Sequence, residues 1–470
     1  MVIAETAEKQ QIIDRAYQAG QGDVFRHWDI LNNDQKNNLL EQINQIDFSL
    51  LKFLINDVYR ANKNSKKPRL KPAKVRSLRE RKKLDAEATK IGEQQLAKGT
   101  VAAVLVAGGQ STRLGYDGPK GTFLITPVKQ KSLFQLHAEK IVALCRKYHT
   151  TIPWYIMTSK LNYLDTLTFF ETNNYFGLHK KNIFFFQQEL IPAIDRKGRL
   201  ILDAPEHIFM NPNGHGGVLK ALWDSGAISD MKQRGIENIF YFQIDNALTK
   251  ICDPPFIGYH ILNNAEMSNK IVQKKYPKEQ LGIICTINGS IGVMEYSDLS
   301  RDDMFARNSS GKLKYSAGSI AIHMLTVPFI ERLNQDGFKL PYHVAKKIIP
   351  CLDKDGKFVT PSHKNGIKFE TFIFDALPLA QNTLSLEVIR EEEFSPVKNL
   401  RGVDSPATTR QDMCNLYGNW LENAGFVIPR NKQGNVKIKL EISPLFALDK
   451  EDVLAKRKDI KAITENLYLD

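Results

Sequence analysis

The chain has 470 residues, more than one ordinary hydrophobic core accommodates, so two or three domains are expected. With 42% hydrophobic and 25% charged residues it has the composition of a soluble globular protein, and no stretch approaches the roughly 20 apolar residues of a membrane helix. The formal charge of +13 draws polyanions, whether nucleic acid, acidic membranes or phosphorylated metabolites.

The first residues, MVIAETAEKQQIIDRAYQ, carry early acids and no apolar segment, so no signal peptide is expected. Residues 1–60 read as helical, with Leu39, Leu40, Ile43, Ile46 and Phe48 near helical spacing. The densest basic run, Ala61–Leu84, has no interleaved aromatic residue, which argues against stacked single-stranded nucleic acid and favours a solvated linker leading into a helix, with a polyanion-docking surface as the alternative. Pro68 and Pro72 punctuate that linker, and Ser77–Leu96 reads as a charged helix with Ser77 as N-cap and Gly99 as its stop.

From Val101 the pattern changes. VAAVLVA is a continuous apolar run of the kind that forms a parallel strand buried on both faces. Similar runs recur at 152–158, 182–188, 238–244 and 282–287, separated by helical patterns at 132–148 and 216–235. Strand alternating with helix predicts an α/β fold with a doubly wound, mainly parallel sheet, whose ligands lie beyond the carboxyl ends of the strands. After about residue 385 the alternation fades, giving a smaller C-terminal module. The expected organisation is a helical N-terminal region over 1–97, a central nucleotide-binding domain over 98–385, and a module over 386–470. The five cysteines, Cys145, Cys252, Cys285, Cys351 and Cys414, are scattered and suggest a reducing, cytoplasmic setting.

The stretch LVAGGQSTRLGYDGPKGTF (105–123) concentrates the chemistry. Gly108 and Gly109 allow a tight turn and a close ligand approach, and successive backbone N–H groups there can form an anion nest. Arg113 and Lys120 supply the charge that a polyphosphate requires. The pattern is neither GxxxxGK[ST] nor GxGxxG.

GGQSTRLG followed by GPKGTF resembles the signature of nucleoside-diphosphate-sugar pyrophosphorylases, nucleotidyltransferases with a glycosyltransferase-A-like fold. More narrowly it resembles the UDP-N-acetylglucosamine pyrophosphorylase branch and its UDP-glucose and UDP-sugar relatives. FFQQELIPAID (185–195), NPNGHGGVLKAL (211–222), QIDNALTKICDPPFIGY (243–259), LGIICTINGSIGVMEYSDLS (281–300), YSAGSIAIH (315–323), NGIKFETFIFD (365–375) and EVIREEEFSPVKN (387–399) follow in family order. The resemblance implies a Mg²⁺-dependent UTP:sugar-1-phosphate uridylyltransferase. A sugar-phosphate oxygen attacks the α-phosphorus of UTP and pyrophosphate leaves. Such chemistry needs anions held in line and charge neutralised more than it needs a general base.

By the same resemblance, Gly108, Gly109 and Gly115 shape the nucleotide loop, and Arg113, Lys120 and Lys398 neutralise phosphate. Gln188 reads the uracil edge and Gly214 contacts the nucleotide. Asp245, beside Asn246 at the end of an apolar strand, holds Mg²⁺. His215, Gly282, Glu295, Tyr296 and Ser319 face the sugar, and Lys368 is a further phosphate candidate. Two departures bear on the sugar. His215 stands where the N-acetylglucosamine branch has Asn in a G-N-G-G loop, and Ser319 in SAGS replaces a sugar-contacting Asn. The other segments favour N-acetylglucosamine 1-phosphate, with glucose or a broader range of sugars as the alternative. A non-catalytic nucleotide-sugar or polyanion binder is the reading from another class. UTP and a sugar 1-phosphate are the expected partners, without nucleic acid or membrane, and homo-oligomerisation stays open. CLDKDGKFV (351–359) lacks the closing Glu of a calcium loop and is expected to be a β-turn between two strands. The histidines form no zinc motif, and no GxSxG elbow is present.

Overall fold

The computed structural model describes residues 2–60 and 68–470. The first part of the basic run, 61–67, lies outside the described residues. The chain forms two compact units, each assembled from separate stretches of sequence.

The first unit contains the described residues up to 60 together with 188–217 and 339–375. Helices α1 (Ala7–Gln18) and α2 (Asn33–Gln45) supply the predicted helical lead-in. Thr6 caps α1, and Asn32 with Gln35 forms a reciprocal capping box on α2. Their apolar stripes, including Ile13, Ala16, Leu39, Leu40 and Ile43, are fully or nearly fully buried and share a core with Ile191, Ile194, Leu200, Ile208, Ile367 and Phe369. Strands His343–Lys347, Gly366–Glu370 and Ile194–Asp195 form an antiparallel sheet in this unit. The 351–359 segment is the expected β-turn: Cys351–Leu352 pairs with Phe358–Val359, and Asp353 Oδ1 accepts from the N–H groups of Asp355 and Lys357.

The second unit holds a ten-stranded sheet. Its strands are β1 (Leu70–Pro72), β2 (Val101–Val106), β3 (Trp154–Thr158), β4 (Ile183–Gln187), β5 (Asn238–Gln243), β6 (Met267–Gln273), β7 (Ile283–Ile287), β8 (Ser290–Met294), β9 (Ala317–Thr326) and β10 (Thr383–Glu387). The neighbours β5, β2, β3 and β4 run parallel, as do β6 and β10. Strand β9 runs antiparallel to both β5 and β6 and joins the two parallel groups. The stretch around Pro72, expected to be linker, is edge strand β1, paired antiparallel with β7. An edge accommodates proline because one side of the strand has no ladder partner to supply.

Helices α3 (Asp85–Lys98), α4 (Leu133–Lys147), α5 (Pro254–Leu262) and α6 (Pro406–Asn423) belong to the same unit. The single charged helix expected over 77–96 is divided. Ser77 and Glu80 form a capping box on a short turn, and α3 then runs to a left-handed Gly99 with φ +72°. The close crossing of α3 and α5 depends on two glycines. A Cβ at Gly92 would lie 1.9 Å from the Pro254 carbonyl oxygen, and one at Gly258 would lie 1.7 Å from that of Ala88.

Candidate active site

Strands β2 and β5 end together. Val106 pairs with Gln243, the Ala107 N–H donates to the Met157 carbonyl, and the Ile244 N–H donates to that of Val106. The glycine loop and Asp245 therefore leave the parallel sheet at the same carboxyl edge, where ligands of such sheets bind. Within the loop, Gln110 bridges to Pro119 and the Lys120 N–H donates to the Gly109 carbonyl at 3.3 Å. The left-handed turns fall at Gly115 (φ +63°) and Gly118 (φ +139°) rather than at the glycine pair. A Cβ at Gly109 would meet nothing within 4 Å. Neither the turn nor the chain's own packing requires glycine there, which leaves room for an approaching ligand as its physical use. Gly121 is different: a Cβ would lie 2.1 Å from the buried Phe134 ring, so the backbone next to Lys120 is pressed onto that ring.

Lys120 Nζ faces Asp245 Oδ2 at 3.9 Å, with the two side chains only 13% and 14% exposed. A predicted phosphate cation and the predicted metal-binding acid thus stand opposite one another. The Val397 N–H donates to the Asp245 carbonyl at 2.9 Å, bringing the segment with Lys398 to the same strand end. Leu400 Cδ2 would lie 3.7 Å from a Cβ at Gly115, so this segment also borders the glycine loop. Lys398 Nζ sits 5.8 Å from the Phe394 ring centroid. Arg113 is exposed and makes no ion pair with the described residues.

The candidate sugar residues of this unit also cluster. The Ser319 N–H donates to the Gly282 carbonyl at 2.8 Å. A Cβ at Gly282 would lie 2.7 Å from Val293 Cγ1 and 3.2 Å from Glu295 Oε1, so glycine is needed for this approach. The register between β6 and β9 shifts between Asn269 and Ile271, and Ala321 takes a left-handed φ of +54°. Such a bulge re-aims side chains, and Ser319 lies beside it, its Oγ accepting from the Ala321 N–H. Tyr296 follows Glu295 and is exposed.

Four predicted residues lie in the first unit. Buried Gln188 donates from Nε2 to Asn213 Oδ1 at 3.2 Å and to the Gly214 carbonyl at 2.9 Å. Its donors are committed, and Oε1 is the end left to accept from an imide N–H. Gly214 adopts φ +85°, and a Cβ there would lie 2.3 Å from the Thr371 carbonyl oxygen. His215 stacks on Phe372, and its Nδ1 accepts from the Ile373 N–H at 3.2 Å. The proton of the neutral ring therefore sits on Nε2. Burial, with a smaller contribution from His343, pushes the His215 pKa down to about 4. Lys368 Nζ rests 4.9 Å from the Phe209 ring centroid, and burial lowers its pKa.

The structure adds groups that no motif announced. Asp404 is left-handed, with φ +55°, and its carbonyl accepts from the N–H groups of Lys398 and Asn399. Burial pushes its carboxyl pKa up, with Lys398 opposing and Asp245 adding to the shift. Ser111, in the glycine loop, has a buried hydroxyl with no hydrogen-bond partner among the described residues. No linear spacing marks either residue. A cavity of about 460 Å³ lies behind the loop that follows Asp245, lined by Lys140, Leu248, Lys250, Tyr417 and Trp420 among others, and includes none of the predicted site residues.

Among the described residues no three metal-ligating side chains come together. A lone carboxylate such as Asp245 suits Mg²⁺, which takes most of its ligands from phosphate and water, and does not suit a protein-caged metal.

The family model described as UTP--glucose-1-phosphate uridylyltransferase matches residues 51–439. The UDP-N-acetylhexosamine pyrophosphorylase-like protein 1 of Xenopus tropicalis is 37% identical, over 90% of this chain and 86% of its own. The UDP-N-acetylglucosamine pyrophosphorylase of Saccharomyces cerevisiae is 38% identical, over 93% of this chain and 95% of its own. The crystal structure of the Trypanosoma brucei uridine diphosphate N-acetylglucosamine pyrophosphorylase, in complex with an inhibitor, superposes with a TM-score of 0.84 at 25% identity, covering 100% of this chain and 99% of that one. The glycine loop, Asp245 and Lys398 all fall inside the matched region, and the chain belongs to the UTP–glucose-1-phosphate uridylyltransferase family.

Proposed function

We propose that the protein is a Mg²⁺-dependent, cytoplasmic uridylyltransferase that joins UTP to N-acetylglucosamine 1-phosphate, giving UDP-N-acetylglucosamine and pyrophosphate. The observation that carries the reaction type is the convergence at one sheet edge of the glycine loop, Lys120 opposite Asp245 at 3.9 Å, and the Lys398 segment bonded to the Asp245 carbonyl. The two full-length relatives named for N-acetylglucosamine support the choice of sugar.

A phosphate oxygen of the sugar 1-phosphate, already anionic near neutral pH, forms the new bond to the α-phosphorus. The bond to the bridging oxygen breaks, and pyrophosphate departs with that electron pair. Lys120, Arg113 and Lys398 hold and neutralise the phosphates in line. Mg²⁺, when bound, would supply further neutralisation of phosphate charge, with Asp245 as its protein ligand. Gln188 and Gly214 are assigned to the uridine, Lys368 to phosphate, and His215, Gly282, Glu295, Tyr296 and Ser319 to the sugar. His215 meets it as a neutral Nε2–H donor.

A second reading rests on His215 and Ser319, which replace asparagines and remove amide groups suited to an acetamido function. It makes the enzyme a UDP-glucose or broad UDP-sugar pyrophosphorylase. Purified protein given UTP, Mg²⁺ and each sugar 1-phosphate in turn separates the two through pyrophosphate release. N-acetylglucosamine 1-phosphate is expected to give the highest kcat/KM, and a strong preference for glucose 1-phosphate would overturn the assignment. Thermal stabilisation by RNA but not by UTP, without turnover, would mark a polyanion binder instead.

A further inference from the structure

We propose that Asn246 is a positioning residue that seats Lys398 against Asp245 by gripping the backbone just ahead of that lysine. The proposal rests on the functional reading above, in which Asp245 and Lys398 flank the reacting phosphates. Asn246 is only 3% exposed, and both ends of its amide are used. Nδ2 donates to the Glu393 carbonyl at 2.7 Å, and Oδ1 accepts from the Ser395 N–H at 3.0 Å. Pro396, which bridges to Asn246, has no N–H to give. The donors on either side of it are both taken by the Asp245–Asn246 strand end: Ser395 by the Asn246 side chain, and Val397 by the Asp245 carbonyl at 2.9 Å. Two adjacent residues therefore hold the chain just ahead of Lys398, and the Asp404 carbonyl holds Lys398 itself.

Lysines brace both partners. Lys140 Nζ donates to the carbonyls of Ala247 and Thr249 at 2.7 and 2.9 Å, holding the chain after Asn246. Fully buried Lys270 joins Asp253 at 2.7 Å to Glu393 at 2.5 Å, and Lys250 pairs with Glu392 at 2.6 Å. These bonds fix the two segments broadly. Thr409 Oγ1 donates to the Ser395 and Pro396 carbonyls and the Asp404 carbonyl accepts from the Lys398 N–H, but among the described residues it is Asn246 that ties this backbone to the chain position next to Asp245. The task needs a donor and an acceptor on one short planar group, which asparagine has. Serine is too short to make both bonds, and a carboxylate has no donor for the Glu393 carbonyl.

The test uses the full chain and two readouts. Steady-state pyrophosphate release is measured for wild type, Asn246→Ala, Lys398→Ala and the double variant. Amide hydrogen exchange is followed over 390–399. Misplacement of a phosphate-binding group predicts a fall in kcat of about 10- to 100-fold for Asn246→Ala, larger than any change in KM. In the Lys398→Ala background the same substitution is expected to cost less than about threefold, because groups that act through one another are non-additive. The amides of Ser395 and Val397 are expected to lose protection while those of the sheet keep it. An unchanged kcat, a full additive loss in the double variant, or native protection at these two amides would each overturn the proposal. If Asn246→Ala fails to fold, Asn246→Leu, which keeps the bulk of the side chain and neither bond, is read by the same criteria. If the wild-type protein transfers no uridylyl group, the functional reading fails, and the exchange rates still decide whether Asn246 holds the segment.

Discussion

Replacing Lys120 by Met keeps the length of the side chain and removes its charge at the centre of the proposed site. At the observed 3.9 Å, two unit charges attract by about 4 kcal/mol with an effective dielectric constant of about 20. In turnover only the change in phosphate charge counts. The departing pyrophosphate gains roughly one negative charge, and Lys120 shares its field between that charge and Asp245. About half of the full interaction, or about 2–3 kcal/mol, is therefore lost from the transition state, a fall in kcat of about 100-fold. Both side chains are mostly buried, so the variant also leaves Asp245 without its cation, and the denaturation midpoint is expected to fall while the protein stays folded. The assay is initial-rate pyrophosphate release at saturating UTP and sugar 1-phosphate, alongside urea unfolding of the same preparation. Lys120→Arg retains the charge and should recover part of the rate. A folded Lys120→Met protein with kcat within about threefold of wild type would refute the electrostatic argument.

Gly214→Ala should destabilise the first unit by more than about 1–3 kcal/mol, because the residue holds φ +85° and its new Cβ would lie 2.3 Å from the Thr371 carbonyl oxygen; an unchanged urea midpoint would contradict this. Acid should destabilise the protein well above the carboxylate range. Burial holds the His215 pKa near about 4 and that of His260 near about 3 in the folded chain, so from pH 6.5 downward the unfolded chain takes up these protons first, and stability present above pH 6.5 is lost as the pH falls. Each contributes about 2 kcal/mol of loss at pH 5, and equal urea midpoints at pH 7.5 and pH 5 would exclude the effect. Ser319→Asn should raise the ratio of kcat/KM for N-acetylglucosamine 1-phosphate over glucose 1-phosphate by about fivefold, the worth of one added hydrogen bond; a ratio that stays constant or falls would remove Ser319 from the sugar contacts.

Much of this molecule is written in short stretches of its sequence. The apolar runs at 101–106, 154–158, 183–187 and 238–243 are four mutually parallel strands, whereas the similar run at 282–287 became β7, whose neighbours all run antiparallel to it, and the caps at Thr6, Asn32, Ser77, Ser132 and Ser405 sit where helices begin. Burial on both faces needs continuous apolar residues, and a helix start needs a side-chain acceptor for its free N–H groups, so near neighbours suffice to specify both. The glycine loop was legible for the same reason, since its glycines and cations are consecutive. Reading Pro68 and Pro72 as linker punctuation misjudged the stretch around Pro72, whose strand exists only because β7 lies beside it.

The meeting of distant segments could not be read locally. Asn246 and Glu393 are 147 residues apart in the chain, and Lys120 and Asp245 lie on different segments, yet both pairs touch. Likewise the helices of the first sixty residues share their core with 188–217 and 339–375. Residue types and local order thus fixed which elements form and which side chains carry charge. Only packing of those elements decided which charges face each other, because loop closure over such distances depends on the whole set of buried faces and on no single stretch of sequence.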